Sequence, residues 1–197
     1  KRKNLIHKIR DNHGDWILDK DKIVDALVHY YKDLFTSTNT LPCDSATNTI
    51  PKVINAEMNS KLSTAFSEWE VQQAIKQMAP IKAPGPDGMP HLFFQHYWNL
   101  IGDDVSHSIL HFLNIASLPE NLNHTFLTLI PKKKNLEFAS YFRPISLCNV
   151  FYKIFSKVLA NRLKRILPNI ISEHQSAFTK SRLIYDNILV ALESLHS

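Results

Sequence analysis

The sequence predicts an α+β fold, predominantly helical with a small antiparallel β-hairpin. Three observations carry that prediction. Apolar residues recur at helical spacing in several separate stretches. The run Phe126-Leu127-Thr128-Leu129-Ile130 is short, apolar and closed by Pro131, which reads as a strand. Clusters of Pro, Gly, Asn and Asp separate these stretches and punctuate them into distinct elements.

Taken in order, residues 5 to 18 read as a hairpin, with its reverse turn at Asp11-Asn12-His13-Gly14-Asp15. Asp19 or Asp21 caps a helix whose apolar face is Ile23, Leu27, Tyr30, Tyr31 and Leu34. Thr36 to Pro51 lacks periodicity and reads as a linker. Glu68 to Met78 forms a helix with Val71, Ile75 and Met78 on one face, Ser67 as its cap and Pro80 beyond its end. Pro84-Gly85-Pro86-Asp87-Gly88 is a rigid turn, because proline fixes φ and glycine permits positive φ. Pro90 opens a helix carrying Leu92, Phe93, Tyr97 and Leu100. Gly102 is expected to interrupt it, and Asp103-Asp104 to restart a run through Ile115.

The strand at 126–130 leads into a basic turn, Lys132 to Asn135, and a return strand from about Phe142 to Leu147. Asn149 to Leu167 is the clearest helix, with Phe151, Ile154, Phe155, Val158, Leu159, Ile166 and Leu167 recurring and Pro168 after it. A short helix is expected at Gln175 to Phe178. From Leu183 a further helix carries Ile184, Ile188, Leu192 and Leu195, and its open stripe is expected to lack its full partner.

The chain has 197 residues, 44% hydrophobic and 21% charged, values of a foldable globular chain. Four glycines exclude Gly-rich repeats, and two cysteines exclude a disulfide framework. No apolar run is long enough for a membrane span, no hydrophobic signal region follows the basic start, and an intracellular setting, nucleus or cytoplasm, is expected. The missing initiator Met and the uncapped last helix suggest a piece of something longer. The formal charge is +5, but its placement matters more. Residues 131 to 182 hold eleven basic residues against two acids, a local +9, while the remainder is −4. So lopsided a segment suggests a polyanion, and nucleic acid is the commonest one.

Several constellations carry residue types capable of chemistry. Asp103, His107 and His111 share a helical face at metal-ligand spacing, but read as a solvated face. There is no Gly-rich phosphate loop. Cys148 reads as a small buried thiol, and Glu68 and Glu70 as first-turn acids favoured by the helix dipole. The basic turn is different. A β-finger with Lys132 and Lys133 at its tip and Arg143 on its returning arm can close over a triphosphate, lysine as a point charge and arginine as a bidentate fork.

Five ordered motifs are familiar: Lys82-Ala83-Pro84-Gly85-Pro86-Asp87-Gly88; Asn123-His124-Thr125 followed by Leu129-Ile130-Pro131-Lys132-Lys133; Tyr141-Phe142-Arg143-Pro144-Ile145-Ser146-Leu147-Cys148-Asn149; Tyr152-Lys153-Ile154 through Leu159-Ala160-Asn161-Arg162-Leu163; and Gln175-Ser176-Ala177-Phe178 with Arg182 and Asp186-Asn187. In this order they closely resemble the N-terminal part of the reverse transcriptase of non-LTR (LINE-type) retrotransposons, particularly plant ones. The departures are Ser181, where a glycine is usual, and Tyr141, where an acid is usual.

The resemblance implies the upstream extension and fingers of a right-hand polymerase with the palm missing. Its expected divisions are residues 1–50 as a connector of hairpin, helix and linker, 51–122 as an upstream helical extension, and 123–197 as truncated fingers and the start of the palm. It implies that Lys132, Lys133 and Arg143 face dNTP phosphates. Gly85, Asp87 and Gly88, the helix cations Lys153, Lys157, Arg162 and Lys164, and Arg182 would contact template RNA or an RNA–DNA hybrid. The implied partners are RNA template, hybrid, dNTP and the palm and thumb of the same polyprotein, with no membrane. Mg²⁺ is implied for the parent enzyme, and no catalytic or metal-ligating residue or cofactor is expected within this chain, because it stops before the catalytic aspartate motifs. Residues 1–197 alone are therefore expected to be inactive. The alternatives are a non-enzymatic nucleic-acid-binding relic and a helical interaction domain.

Overall fold

A computed structural model describes residues 5–11, 13–37, 48–49, 51–172, 175 and 183–196. Strands β1 (Ile9–Arg10) and β2 (Trp16–Ile17) pair antiparallel around the expected turn. The Asp11 carboxylate accepts the N–H groups of His13 and Asp15, both at 2.9 Å, and Gly14 supplies a φ of 92°. Helix α1 (Lys20–Phe35) follows, with Asp19 accepting from Asp21 and Lys22 N–H. Its buried residues, Ile23, Leu27 and Tyr31, are four apart, so they form one stripe. Leu34, expected on that face, is exposed.

Helix α2 (Ala56–Ser63) buries none of its residues and is capped by Asn55, whose side chain accepts the Met58 N–H. Helices α3 (Glu68–Lys76), α4 (His91–His96), α5 (Trp98–Ile115) and α6 (Val150–Leu163) build the larger core. Its centre is Val71, Ala74, Ile75, Phe94, Val105, Ile109, Leu113, Val150, Ile154 and Val158. Helix α3 opens with the expected Ser67, whose N–H donates to Glu70 at 3.0 Å.

Two expected boundaries move. The helix break falls at Tyr97, between α4 and α5, and not at Gly102. Gly102 lies buried within α5, where a Cβ would stand 2.8 Å from the Trp98 indole. The glycine therefore admits the ring rather than ending the helix. Helix α6 ends at Leu163, not Leu167. Arg165 and Ile166 N–H donate three residues back and tighten the last turn. Pro168 then sits in the first turn of α7 (Leu167–Ile170), where a missing N–H costs nothing. Helix α8 (Ile184–His196) ends the described residues, with Ile188, Leu192 and Leu195 exposed. The short helix expected at 175–178 lies outside them.

Strands β3 (Thr125–Pro131) and β4 (Phe142–Cys148) form the expected antiparallel hairpin, with Ile130 opposite Arg143 and Pro131 opposite Phe142. Its two faces differ. Phe142 joins Ile9, Ile23, Leu27 and Tyr31 in a second, smaller core, with Leu129, Leu136 and Ala139 against it. The alternation of strand side chains puts Phe126, Thr128, Ile130, Arg143, Ile145 and Leu147 on the other face. There Phe126, Ile130, Ile145 and Arg143 are exposed.

Candidate nucleic-acid interface

The hairpin places its cations by register. Arg143 faces solvent opposite Ile130. Two residues beyond Ile130, the Lys132 N–H donates to the Tyr141 carbonyl at 2.8 Å, so the ladder continues and Lys132 shares the Arg143 face. The Lys132 ammonium also donates to the Ser140 carbonyl at 2.7 Å, which leaves two of its three donors outward. Lys133 takes another direction, its Nζ lying 3.4 Å from the centre of the Tyr141 ring. Among the described residues no ion pair includes Lys132, Lys133 or Arg143.

Helix α6 supplies a second cationic strip. Lys153, Lys157 and Lys164 recur at spacings of four and seven, on one side of the helix. Lys153 donates to the Ala83 carbonyl at 3.4 Å. Partial burial lowers the Lys157 pKa from its ordinary value, and the neighbouring Lys164 ammonium lowers it further. Two like charges held together without an intervening acid make a surface that favours an anion.

Arg162 does not belong to that strip. It is 5% exposed and points into the molecule. Its Nε and Nη2 grip the Glu70 carboxylate, each at 2.8 Å, in a bidentate fork. The remaining donors go to the carbonyls of Leu62 at 3.0 Å, of Ala65 at 2.9 Å, and of Thr64. The plane of the guanidinium lies over Phe66, 3.5 Å from the ring centre. All five guanidinium donors are therefore used within the protein, and none remains for nucleic acid. The fork also draws the Glu70 pKa below the usual carboxylate value. The sequence held the signal: Arg162 is four residues past Val158 and eight past Ile154, on the buried stripe.

Within the Pro-Gly turn Gly85 is buried, while Asp87 and Gly88 are exposed. Gly85 abuts the end of β4 so closely that a Cβ would overlap the Cys148 carbonyl. Asp87 Oδ2 accepts the Val150 N–H at 2.6 Å, and the Asp87 N–H donates to Asn149 Oδ1 at 3.0 Å. Gly88 adopts a φ of 67°, and its N–H closes the turn onto the Gly85 carbonyl. The turn thus caps α6 from a distant part of the chain through Asp87 Oδ2, while Asp87 Oδ1 accepts the Met89 N–H at 3.3 Å. Arg182 lies outside the described residues.

Among the described residues no group of three or more His, Cys, Asp or Glu side chains is placed to hold a metal. Asp103, His107 and His111 form no such group. No helix of the described residues is long and apolar enough to cross a membrane.

The family match begins at the end of β3 and runs through the return strand into the lysine-bearing helix. Residues 130–197 match the family described as reverse transcriptase (RNA-dependent DNA polymerase). They are a reverse-transcriptase segment. Over 185 residues, 93% of this chain, the sequence is 31% identical to the "Transposon TX1 uncharacterized 149 kDa protein" of Xenopus laevis. With the five motifs in order, the chain is a segment of the reverse transcriptase of a non-LTR retrotransposon. It spans 14% of the length of that relative.

Proposed function

We propose that this segment supplies the upstream extension and fingers of an RNA-directed DNA polymerase, with Lys132 and Arg143 facing the phosphates of an incoming dNTP. One observation carries the reading: the two cations stand on the same solvent-facing side of one hairpin, on its opposite arms, and among the described residues no acid pairs with either. The strip Lys153, Lys157 and Lys164 follows the backbone of the template or of an RNA–DNA hybrid. The parent enzyme uses Mg²⁺ on carboxylates that the palm supplies, and residues 1–197 alone do not polymerise.

The test uses the purified chain with a fluorescent RNA–DNA hybrid and with dNTP. Hybrid binding falls as salt rises, because phosphate contacts release counterions. Replacing Arg143 by Ala weakens dNTP binding and spares hybrid binding. Salt-independent hybrid binding contradicts the nucleic-acid reading. Equal dNTP binding by the parent chain and its Arg143→Ala variant contradicts the phosphate reading. Templated extension by residues 1–197 alone contradicts the assignment of the catalytic carboxylates to another part of the polymerase.

A further inference from the structure

The segment between the hairpin strands is held from behind. The Tyr31 hydroxyl donates to the Ala139 carbonyl at 3.3 Å and reaches the Phe142 carbonyl at 3.5 Å. The Arg10 N–H donates to the Glu137 carbonyl, and the Arg10 guanidinium pairs with the Glu137 carboxylate at 3.1 Å. Phe142, 2% exposed, is locked between Ile9, Ile23, Leu27 and Tyr31. All of these holding residues lie in the first 35 positions, upstream of the matched family segment.

The same backbone segment holds the cations from the front. Ser140 fixes the Lys132 ammonium, the Tyr141 ring carries Lys133, and Arg143 directly follows the buried Phe142. Whatever anchors residues 137–142 therefore sets where three positive charges stand. A flexible tip would have to order those charges at each binding event, whereas an anchored tip presents them already placed.

We propose that β1, β2 and α1 form a brace that presets the hairpin cations for phosphate, with Tyr31 and Arg10 as positioning residues that touch no substrate themselves. This rests on the phosphate reading of Lys132 and Arg143. The brace has its own core, separate from the core formed by α3, α4, α5 and α6. Loosening it therefore affects phosphate binding at the hairpin and leaves hybrid binding on α6 intact.

The experiment uses the purified chain, sodium tripolyphosphate as the phosphate probe and a labelled RNA–DNA hybrid as the second ligand. The variants are Tyr31→Phe, Tyr31→Phe with Glu137→Gln, and Arg143→Ala. In the double variant tripolyphosphate binding weakens about tenfold, the scale of one lost hydrogen bond. Amide exchange across residues 139–143 speeds up, while hybrid affinity and the thermal midpoint of the helical core hold. Tyr31→Phe, which removes one hydroxyl, shows the same split at smaller size. Tripolyphosphate binding unchanged in the double variant but weakened by Arg143→Ala overturns the brace and leaves the phosphate reading standing. Equal losses of both ligands, with a lowered midpoint, overturn the brace in favour of a purely structural role. If Arg143→Ala changes nothing, the phosphate reading fails and the brace inference fails with it.

Discussion

The Asp87 carboxylate receives the Val150 N–H at 2.6 Å, 63 positions away, while Asn149 accepts the Asp87 N–H in return. Helix α6 starts where the strand bearing Arg143 ends, and its first N–H groups have no partner within the helix. The reciprocal clamp satisfies one of them and fixes the angle at which strand becomes helix.

Removing this clamp costs stability on the scale of a lost helix cap. Asp87→Ala is expected to lower unfolding free energy by about 1–2 kcal/mol, and Asp87→Asn by less, because an amide oxygen still accepts. Urea titration of the two variants reads the difference. An alanine variant as stable as the parent contradicts the capping role.

Gly85 is constrained by space rather than by φ. Gly85→Ala drives a methyl into the Cys148 carbonyl, backbone that cannot swing aside. A loss of about 1–3 kcal/mol follows from such overpacking. Thermal melting checks it.

At Gly102 two effects compete. Alanine in a helix interior gains about 1 kcal/mol over glycine. The added methyl meets the Trp98 ring, itself packed against the core, at 2.8 Å. Overpacking of about 1–3 kcal/mol exceeds the gain, so Gly102→Ala is expected to destabilise. Trp98 fluorescence during denaturation reports both the stability and the displaced ring.

The Arg162–Glu70 pair makes stability fall in acid. The folded pKa of Glu70 lies below its unfolded value, so the carboxylate's contribution is complete above the ordinary carboxylate range. It is lost as pH falls through the depressed folded value. Glu70→Gln flattens that part of the stability–pH curve. Arg162→Ala leaves a carboxylate and three carbonyls without their donor and is expected to cost about 3–5 kcal/mol. Urea midpoints between neutral pH and pH 3 separate these outcomes.

On α6 the lysines are expected to act through phosphates. Lys153→Ala and Lys157→Ala each weaken hybrid binding and reduce the log–log salt slope by about 1. The lowered Lys157 pKa adds a pH signature, since its charge is lost at a lower pH than an ordinary lysine's. Hybrid affinity therefore begins to fall earlier on the alkaline side, and Lys164→Ala moves that fall upward. Anisotropy titrations across pH and salt measure both.

Elements with a strong period and a clear stop were legible in the sequence. The α1 stripe Ile23, Leu27, Tyr31, the strand closed by Pro131 and the Ser67 start of α3 are of this kind. Helix α2 was not, because it buries nothing and so leaves no apolar period. The inward course of Arg162 was partly legible, since its spacing contradicted its charge. The Asp87–Val150 clamp was not, because a contact across 63 residues has no local signature. The hairpin register could be read well enough to place Lys132 near Arg143, while the hold of Tyr31 on the intervening segment could not.

Tyr31 waits 111 residues for the Phe142 carbonyl. A ribosome adding about 5–20 residues per second takes on the order of ten seconds to make that stretch. Throughout, Ile9, Ile23 and Leu27 have no hydrophobic lid. The nascent chain therefore carries an uncovered apolar patch for seconds, until the finger emerges to cover it.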